Sequence, residues 1–385
     1  MSHVAQVIPG LDRIGGAEQQ VILLARGLKR RGWRVTVVAL TGNGGHIARR
    51  LQCEGIEFIS LEMRKGLLDP RGWLRFHRWL CRAAPDVVHA HLTQPAWLAR
   101  WSRLAANVPV VVDTIHSSAT GGLVRRLGYR LSKFLPDRVT AVSLAAAQAH
   151  LAAHTVRRQT LEVIPNGIVP ERWNPDAQIR VEARRALGVS NEFLWLAAGR
   201  LEPVKDYPVL LRAMALLPDS AKLIIAGCGY LQAELTGLSA ELGLTRRLRF
   251  LGFSHDLHRW MQAADAFVLS SLWEGLPTVL IEASAAGLPA VATDVPGVRE
   301  ALGPSSDPAR LASRHDSVSL ARAMAALMQI SAEARHAIGA RARQYAVEQF
   351  SLEIVLNRWD SLYHTLLNGC PASESLSANA ASHAG

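Results

Sequence analysis

No apolar run in this chain reaches the ~18 residues that a membrane-spanning helix needs. Cysteine is scarce, and the four present, Cys53, Cys81, Cys228 and Cys370, share no Cys-x-x-Cys or Cys/His ligand spacing. That excludes a disulfide framework or a structural zinc site, and leaves reduced thiols in a cytoplasmic protein as the expectation. The N-terminus has no basic segment ahead of an apolar stretch, so no secretory leader is expected. No Gly-x-Gly-x-x-Gly follows a strand pattern, which removes the NAD-type fingerprint. Acidic residues are outnumbered, 32 against 43 Lys and Arg, for a formal charge of +11. An acidic partner is expected; no nucleic-acid motif is present, so an anionic membrane surface ranks above nucleic acid.

What is present is globular: 49% hydrophobic and 19% charged over 385 residues, enough for two domains each with its own core. Short Val-rich runs at 4–9, 35–40, 87–90, 110–114 and 139–142 alternate with helical periodicity, as in a parallel sheet buried on both faces. The pattern resumes with strands expected at 193–198, 223–226, 248–251 and 266–269, and closes in helices at about 317–329, 332–349 and 352–367. Pro170 and Pro175 break the regularity where the chain is expected to pass from one domain to the next. The Ala/Ser-rich stretch 368–385 reads as a disordered tail.

The stretch Ser270 to Glu300, SSLWEGLPTVLIEASAAGLPAVATDVPGVRE, concentrates the chemistry. A buried strand runs into the loop Trp273-Glu274-Gly275-Leu276-Pro277, and Pro277 suits the first position of a following helix. The free N–H groups of such a helix hold an anion such as phosphate. Glu274 in the loop and Glu282 a turn inside the helix are placed to accept hydrogen bonds from sugar or ribose hydroxyls. Elsewhere, Gly15-Gly16 marks the first strand-to-helix turn, where backbone must pass close to a ligand. His89, His91 and His116 each close an expected strand. Asn166 lies in a Pro-Asn-Gly turn, and Gly199-Arg200 with Lys205 follows the first strand of the second half. Three stretches, 64–68, 71–82 and 123–134, mix Arg and Lys with Trp, Leu, Phe and Tyr, as helices on an anionic lipid surface do.

Glu274 and Glu282, separated by seven residues and followed by Ala-x-Ala-x-Gly-x-Pro, resemble the paired-glutamate motif of retaining GT-B-type glycosyltransferases, in particular family 4. Gly15-Gly16-Ala17-Glu18, Pro165-Asn166-Gly167 and Gly199-Arg200-Leu201 with Lys205 match further motifs of that family. Two positions depart from it, Asp206 and Pro296, where the family commonly has Gly.

The resemblance implies two Rossmann-like doubly wound α/β domains facing across a cleft: an acceptor-side domain at 1–170, a nucleotide-sugar domain at 171–350, and a helix at 351–367 packing back on the first. It implies transfer of a hexosyl unit with retention from a nucleotide sugar, UDP-linked in preference to GDP-linked, to a glycan or lipid-linked acceptor of bacterial surface polysaccharide. His116, Arg200, Lys205 and Glu274 would be catalytic. Gly15, Gly16, Gly199, Gly275, Leu276, Pro277, Thr278 and Glu282 would bind the donor, with His91 and Asn166 on the acceptor side. The chain contains no Asp-x-Asp, so no cofactor or metal is expected and protein cations must stabilise the departing diphosphate. The location expected is cytoplasmic, peripheral on the inner face of the plasma membrane. A sugar-nucleotide epimerase and a non-catalytic nucleotide-sugar-binding protein remain alternatives on the same fold.

Overall fold

The computed structural model describes residues 1–12, 15–64, 69–304 and 307–369. All but the first two residues of the tail expected at 368–385, and most of the basic stretch 64–68, therefore lie outside the described residues, as does Cys370.

Two separate parallel sheets carry the chain. The first orders its strands β3-β2-β1-β4-β5-β6-β7, with β1 His3–Ile8, β2 Arg34–Ala39, β3 Glu57–Ser60, β4 Val87–His91, β5 Val110–Ile115, β6 Arg138–Ala141 and β7 Leu161–Val163. The second runs β10-β9-β8-β11-β12-β13, with β8 Phe193–Ala198, β9 Ala221–Ala226, β10 Leu248–Gly252, β11 Ala266–Leu269, β12 Ala290–Thr293 and β13 Leu311–Ala312. Helices cover both faces, so β1, β4, β5, β11 and β12 are buried along their whole length, which is why they read as continuous apolar runs.

Each sheet changes winding direction once, between β1 and β4 in the first and between β8 and β11 in the second. Ligand crevices in open α/β sheets form at such points, because the loops leaving the two strands diverge there. In the second sheet those loops are 199–206 and 270–277. In the first they are the Gly15-Gly16 turn after β1 and the loop after His91.

The chain crosses between the halves twice, and the crossings lie side by side. Ile168 donates its N–H to Phe350 O at 2.8 Å and accepts from Leu352 N at 2.6 Å. From Leu352 the last helix, Leu352–Leu367, lies on the first half. Leu356 presses on Gly27, where an added Cβ would meet its side chain at 2.3 Å, and Trp33 Nε1 donates to Asp360 Oδ1 at 2.7 Å. Leu352, Val355, Leu356, Trp359, Leu362 and Tyr363 join the core built on β1, β2 and β4. Among the described residues no helix is long and apolar enough to cross a membrane.

Candidate active site

Leaving β11, the chain enters a loop fixed from below by hydroxyls. Ser270 Oγ donates to Lys205 O at 2.7 Å, and Thr293 Oγ1 donates to Ser271 O at 2.6 Å. A backbone bond, Leu272 N to Val204 O at 2.8 Å, ties this loop to the one after β8. Lys205 Nζ then sits 2.6 Å from Glu274 Oε1, which also accepts from Ser271 Oγ at 2.6 Å. The pair is largely enclosed, with 15% and 14% of the two side chains exposed.

Pro277 is the N-cap rather than the first helical residue, and the helix proper is Thr278–Ala285. Its ring still serves the start, since it has no N–H to satisfy. No side chain caps this end, and the Leu280 and Ile281 N–H groups both return to Pro277 O. The Thr278 and Val279 N–H groups thus have no acceptor among the described residues, which leaves a partial positive charge at the end of the loop whose Glu274 is paired with Lys205. Gly16 faces this point from the other half: a Cβ there would come within 2.9 Å of Thr278 Oγ1.

Arg200 is not brought to the same place. Its guanidinium is 65% exposed and pairs with its neighbour Glu202 at 3.0 Å, so only one of the two expected cations is set against the helix mouth. Gly15 is also partly committed, because its N–H donates to Glu18 Oε2 at 3.0 Å as the N-cap of the first helix, Gly16–Arg30. Gly199 follows β8 and accepts the Tyr207 hydroxyl on its carbonyl at 3.2 Å. Asp206, where the resembling family commonly has Gly, has the left-handed conformation that explains that preference (φ 45°, ψ 44°), and its carboxylate is anchored by His315 Nδ1 at 2.7 Å.

Glu282 lies deeper. Burial raises its carboxyl to about 7, and Arg172, on the turn that crosses between the halves, offsets part of that rise. Hydrogen-bond donors arriving at such a carboxyl favour its ionised form.

On the other wall, His116 Nε2 meets His91 Nδ1 at 3.1 Å, and burial holds His116 down to about 4, so its ring is neutral. His91 and Asn166 do not stand on an open acceptor face. Both are buried, and with His116, Gln20 and Thr114 they line a cavity of about 20 Å³ roofed by Leu352, Val355 and Trp359 of the last helix. That volume holds about one water. His91 thus backs the His116 ring, and Asn166 shares the wall of the same cavity. Among the described residues no group of three or more His, Cys, Asp or Glu side chains is arranged to hold a metal ion.

Family models match both halves: Glycosyltransferase Family 4 over residues 14–172 and glycosyl transferases group 1 over 180–345. The putative glycosyltransferase EpsF of Bacillus subtilis is 30% identical over 314 residues, 76% of this chain and 79% of that protein. The chain belongs to the group 1 glycosyltransferases. A UDP-Gal:alpha-D-GlcNAc-diphosphoundecaprenol alpha-1,3-galactosyltransferase of Escherichia coli is 29% identical over 245 residues, 60% of this chain and 63% of that relative's length. The crystal structure of Anabaena HepE with UDP and glucose superposes with a TM-score of 0.84 at 21% identity, covering 95% of this chain and 100% of that one. The fold of the transferase is accordingly GT-B, two Rossmann-like domains across a cleft.

In this transferase the cleft is drawn together by contacts that the sequence did not disclose. Ser118 Oγ donates to Glu274 O at 2.6 Å, and Ser143 Oγ to Gly275 O at 2.7 Å. Glu300 spans the gap to accept the Leu144 and Ala145 N–H groups at 2.7 and 2.9 Å, capping the Leu144–Ala152 helix with a charge from the other half. Gly275 is required by this approach, since a Cβ would meet His116 O at 2.3 Å. Of these residues only Ser143 carries a local signal, a Ser ahead of an Ala-rich helix. Gln20, which pairs both of its amide atoms with Gly167 at 2.7 and 2.8 Å, has none.

Proposed function

We propose that the transferase moves a hexosyl unit from a nucleotide sugar, UDP-linked in preference to GDP-linked, to a glycan or lipid-linked acceptor, with retention and without a metal. The observation that carries this reading is the uncapped N-terminus of the Thr278–Ala285 helix with Lys205 beside it and Gly16 opposite. A diphosphate is the ligand whose charge and size answer a helix mouth plus one enclosed ammonium. As the sugar C1–O bond breaks, its electron pair passes to the diphosphate, and fixed dipoles with a cation at that oxygen stabilise the charge as it grows. Lys205 already neutralises Glu274, so an arriving diphosphate would share the ammonium and free the Glu274 carboxylate for sugar hydroxyls. Glu282 is the group proposed for the ribose, and Arg200, now in solvent, would swing in on binding. The acceptor hydroxyl would attack on the face the diphosphate leaves, its proton passing to a phosphate oxygen, while the closed cleft keeps water out. The UDP in the HepE structure and the UDP-Gal in the name of the Escherichia coli relative support the donor class.

For the acceptor we favour a lipid-linked glycan at an anionic membrane face, in the service of surface polysaccharide. Of the basic-aromatic stretches among the described residues, 71–82 and 123–134, only the second supports this. In the helix Pro70–Ala83 the aromatic side turns inward: Phe76 and Leu80 are buried and Trp73 and Trp79 pack on the same core. The helix Leu123–Ser132 does the opposite, presenting Leu123, Val124, Leu127, Leu131 and the adjoining Phe134 to solvent at 52–72% exposure. Arg125, Arg126, Arg130 and Lys133 flank that stripe, with no acidic residue between Asp113 and Asp137. Only residues 117–122 separate this helix from His116, so a bilayer on it would bring headgroups to the acceptor side of the cleft.

The reading is tested by incubating the purified protein with UDP- and GDP-sugars, with and without polyprenyl-diphosphate glycan acceptors. Acceptor-dependent release of UDP, unchanged by EDTA, is expected. A free sugar nucleotide converted to its epimer without acceptor, or no turnover with any acceptor, would replace this reading with one of its alternatives.

A further inference from the structure

Behind His116 runs an unbroken line of buried polar groups that the transfer chemistry leaves unused. His116 Nε2 lies 3.1 Å from His91 Nδ1, and His91 Nε2 lies 2.7 Å from Gln6 Oε1. Gln6 Nε2 reaches the Tyr363 hydroxyl at 3.3 Å, and that hydroxyl lies 2.6 Å from His89 Nδ1. His89 Nε2 meets Thr114 Oγ1 at 2.6 Å, Thr114 meets Thr140 Oγ1 at 2.7 Å, and Thr140 Oγ1 donates to Asp113 O at 3.5 Å. Tyr363 comes from the last helix, 357 residues from Gln6 and 274 from His89.

The line has one self-consistent direction. A backbone carbonyl only accepts, so Thr140 gives its proton to Asp113 O and takes one from Thr114. Thr114, its proton committed, accepts from His89 Nε2–H. Burial keeps His89 and His91 neutral, holding both well below the usual imidazole value. A neutral ring with its proton on Nε2 has a bare Nδ1, so His89 accepts from Tyr363, and Tyr363 accepts from the Gln6 amide nitrogen. The Gln6 oxygen then requires the proton on His91 Nε2, and the bare His91 Nδ1 requires one on His116 Nε2.

We propose that Tyr363, Gln6 and His89 are positioning residues for His116, acting through His91 to hold its imidazole as the Nε2–H tautomer with a bare Nδ1 that accepts a hydroxyl of the bound sugars. Nδ1 has no protein partner among the described residues, consistent with a ligand's use of it. The hydroxyl-accepting role rests on the transfer reading above, whereas the tautomer follows from the protein's own bonds. The last helix thereby does more than tie the halves together: it supplies the hydroxyl that carries the direction of the line across its midpoint.

Tyr363→Phe keeps the ring but leaves the Gln6 amide without an acceptor, so the amide is free to turn over. Its nitrogen would then face His91, every donor beyond it would reverse, and the His116 proton would move to Nδ1. In long-range proton–nitrogen spectra of histidine-labelled protein, with His116 assigned by its loss in His116→Asn, the wild type is expected to show a protonated Nε2 and a bare Nδ1. Tyr363→Phe is expected to show a mixture or the reverse, with kcat lower by about tenfold or more and donor KM within about twofold. Leu362→Ala, which thins the packing of the same helix without touching the line, should lower stability but leave the His116 signals and kcat unchanged. A wild-type proton on Nδ1, a tautomer unmoved in Tyr363→Phe, or an equal kcat loss in Leu362→Ala would each overturn the proposal. The spectra require no substrate, so the tautomer stands or falls independently of the transfer assay.

Discussion

Lys205 and Glu274 form an ion pair at 2.6 Å that is about 15% exposed on each side, and a double-mutant cycle on it separates architecture from chemistry. Removing the ammonium in Lys205→Ala leaves Glu274 with only Ser271 Oγ, among the described residues, as a charge-stabilising partner. Breaking a fully buried pair from one side costs about 3–5 kcal/mol, and the residual water access here brings the expected loss to about 2–3 kcal/mol. Glu274→Ala should cost a similar amount, because it strands the ammonium. The double variant strands neither charge, so its loss should be about 2 kcal/mol smaller than the sum of the singles, a coupling read from urea unfolding. Activity should follow a different rule. Lys205 is the enclosed cation assigned to the departing diphosphate in the proposed chemistry, and removing a preorganised charge from a departing group lowers turnover by about 10²–10³. Nucleotide release should therefore fall to that extent in Lys205→Ala, by at least about tenfold in Glu274→Ala, and should not recover in the double variant. A double variant that regains both stability and turnover would show a structural strut and refute the role assigned to the pair.

Glu282 gives a pH signature. Its folded value, about 7, lies above the ordinary carboxylate value of 4.5, so between these limits the folded state binds more protons than the unfolded one. This group's contribution to stability is thus full below 4.5 and is lost as pH rises towards 7. If the ionised form binds ribose, UDP affinity measured calorimetrically should weaken as pH falls below about 7, approaching tenfold per unit, and Glu282→Gln should flatten that profile; a wild-type profile flat from pH 5 to 8 would remove Glu282 from the ribose. At the surface, Leu127→Ser with Leu131→Ser should abolish co-sedimentation with vesicles containing anionic phosphatidylglycerol while leaving turnover on a soluble acceptor intact. Equal binding of wild type and variant, or wild-type binding to neutral vesicles alone, would rule out this helix as the lipid-facing surface.

The strands and the last three helices were legible because their signals are local. Val-rich runs must be buried on both faces, and the periodicity of 317–329, 332–349 and 352–367 needs no partner to be read. The loop after β11 was legible to within one residue, the structure moving Pro277 from first helical position to N-cap. Contacts formed only by the closed chain were hidden. Ser118 and Glu274 are 156 residues apart, as are Leu144 and Glu300, and no spacing rule joins them. Composition likewise failed to separate the two basic-aromatic helices, since which face of 71–82 turns inward depends on the core built from β1, β4 and their neighbours. Arg200 and Lys205 looked equivalent as loop cations, but the Leu272–Val204 backbone bond and the Ser270 hydroxyl secure the Lys205 end of the loop, whereas the Arg200 side chain remains in solvent.

A nucleoside diphosphate at the start of the Thr278–Ala285 helix is the centre of the proposed chemistry, and a crystal soaked with UDP tests for it directly. The diphosphate should lie within about 3 Å of the Thr278 and Val279 N–H groups and of Lys205 Nζ, with the ribose against Glu282. UDP bound elsewhere, or a helix mouth filled by the protein's own side chains at saturating nucleotide, would contradict it.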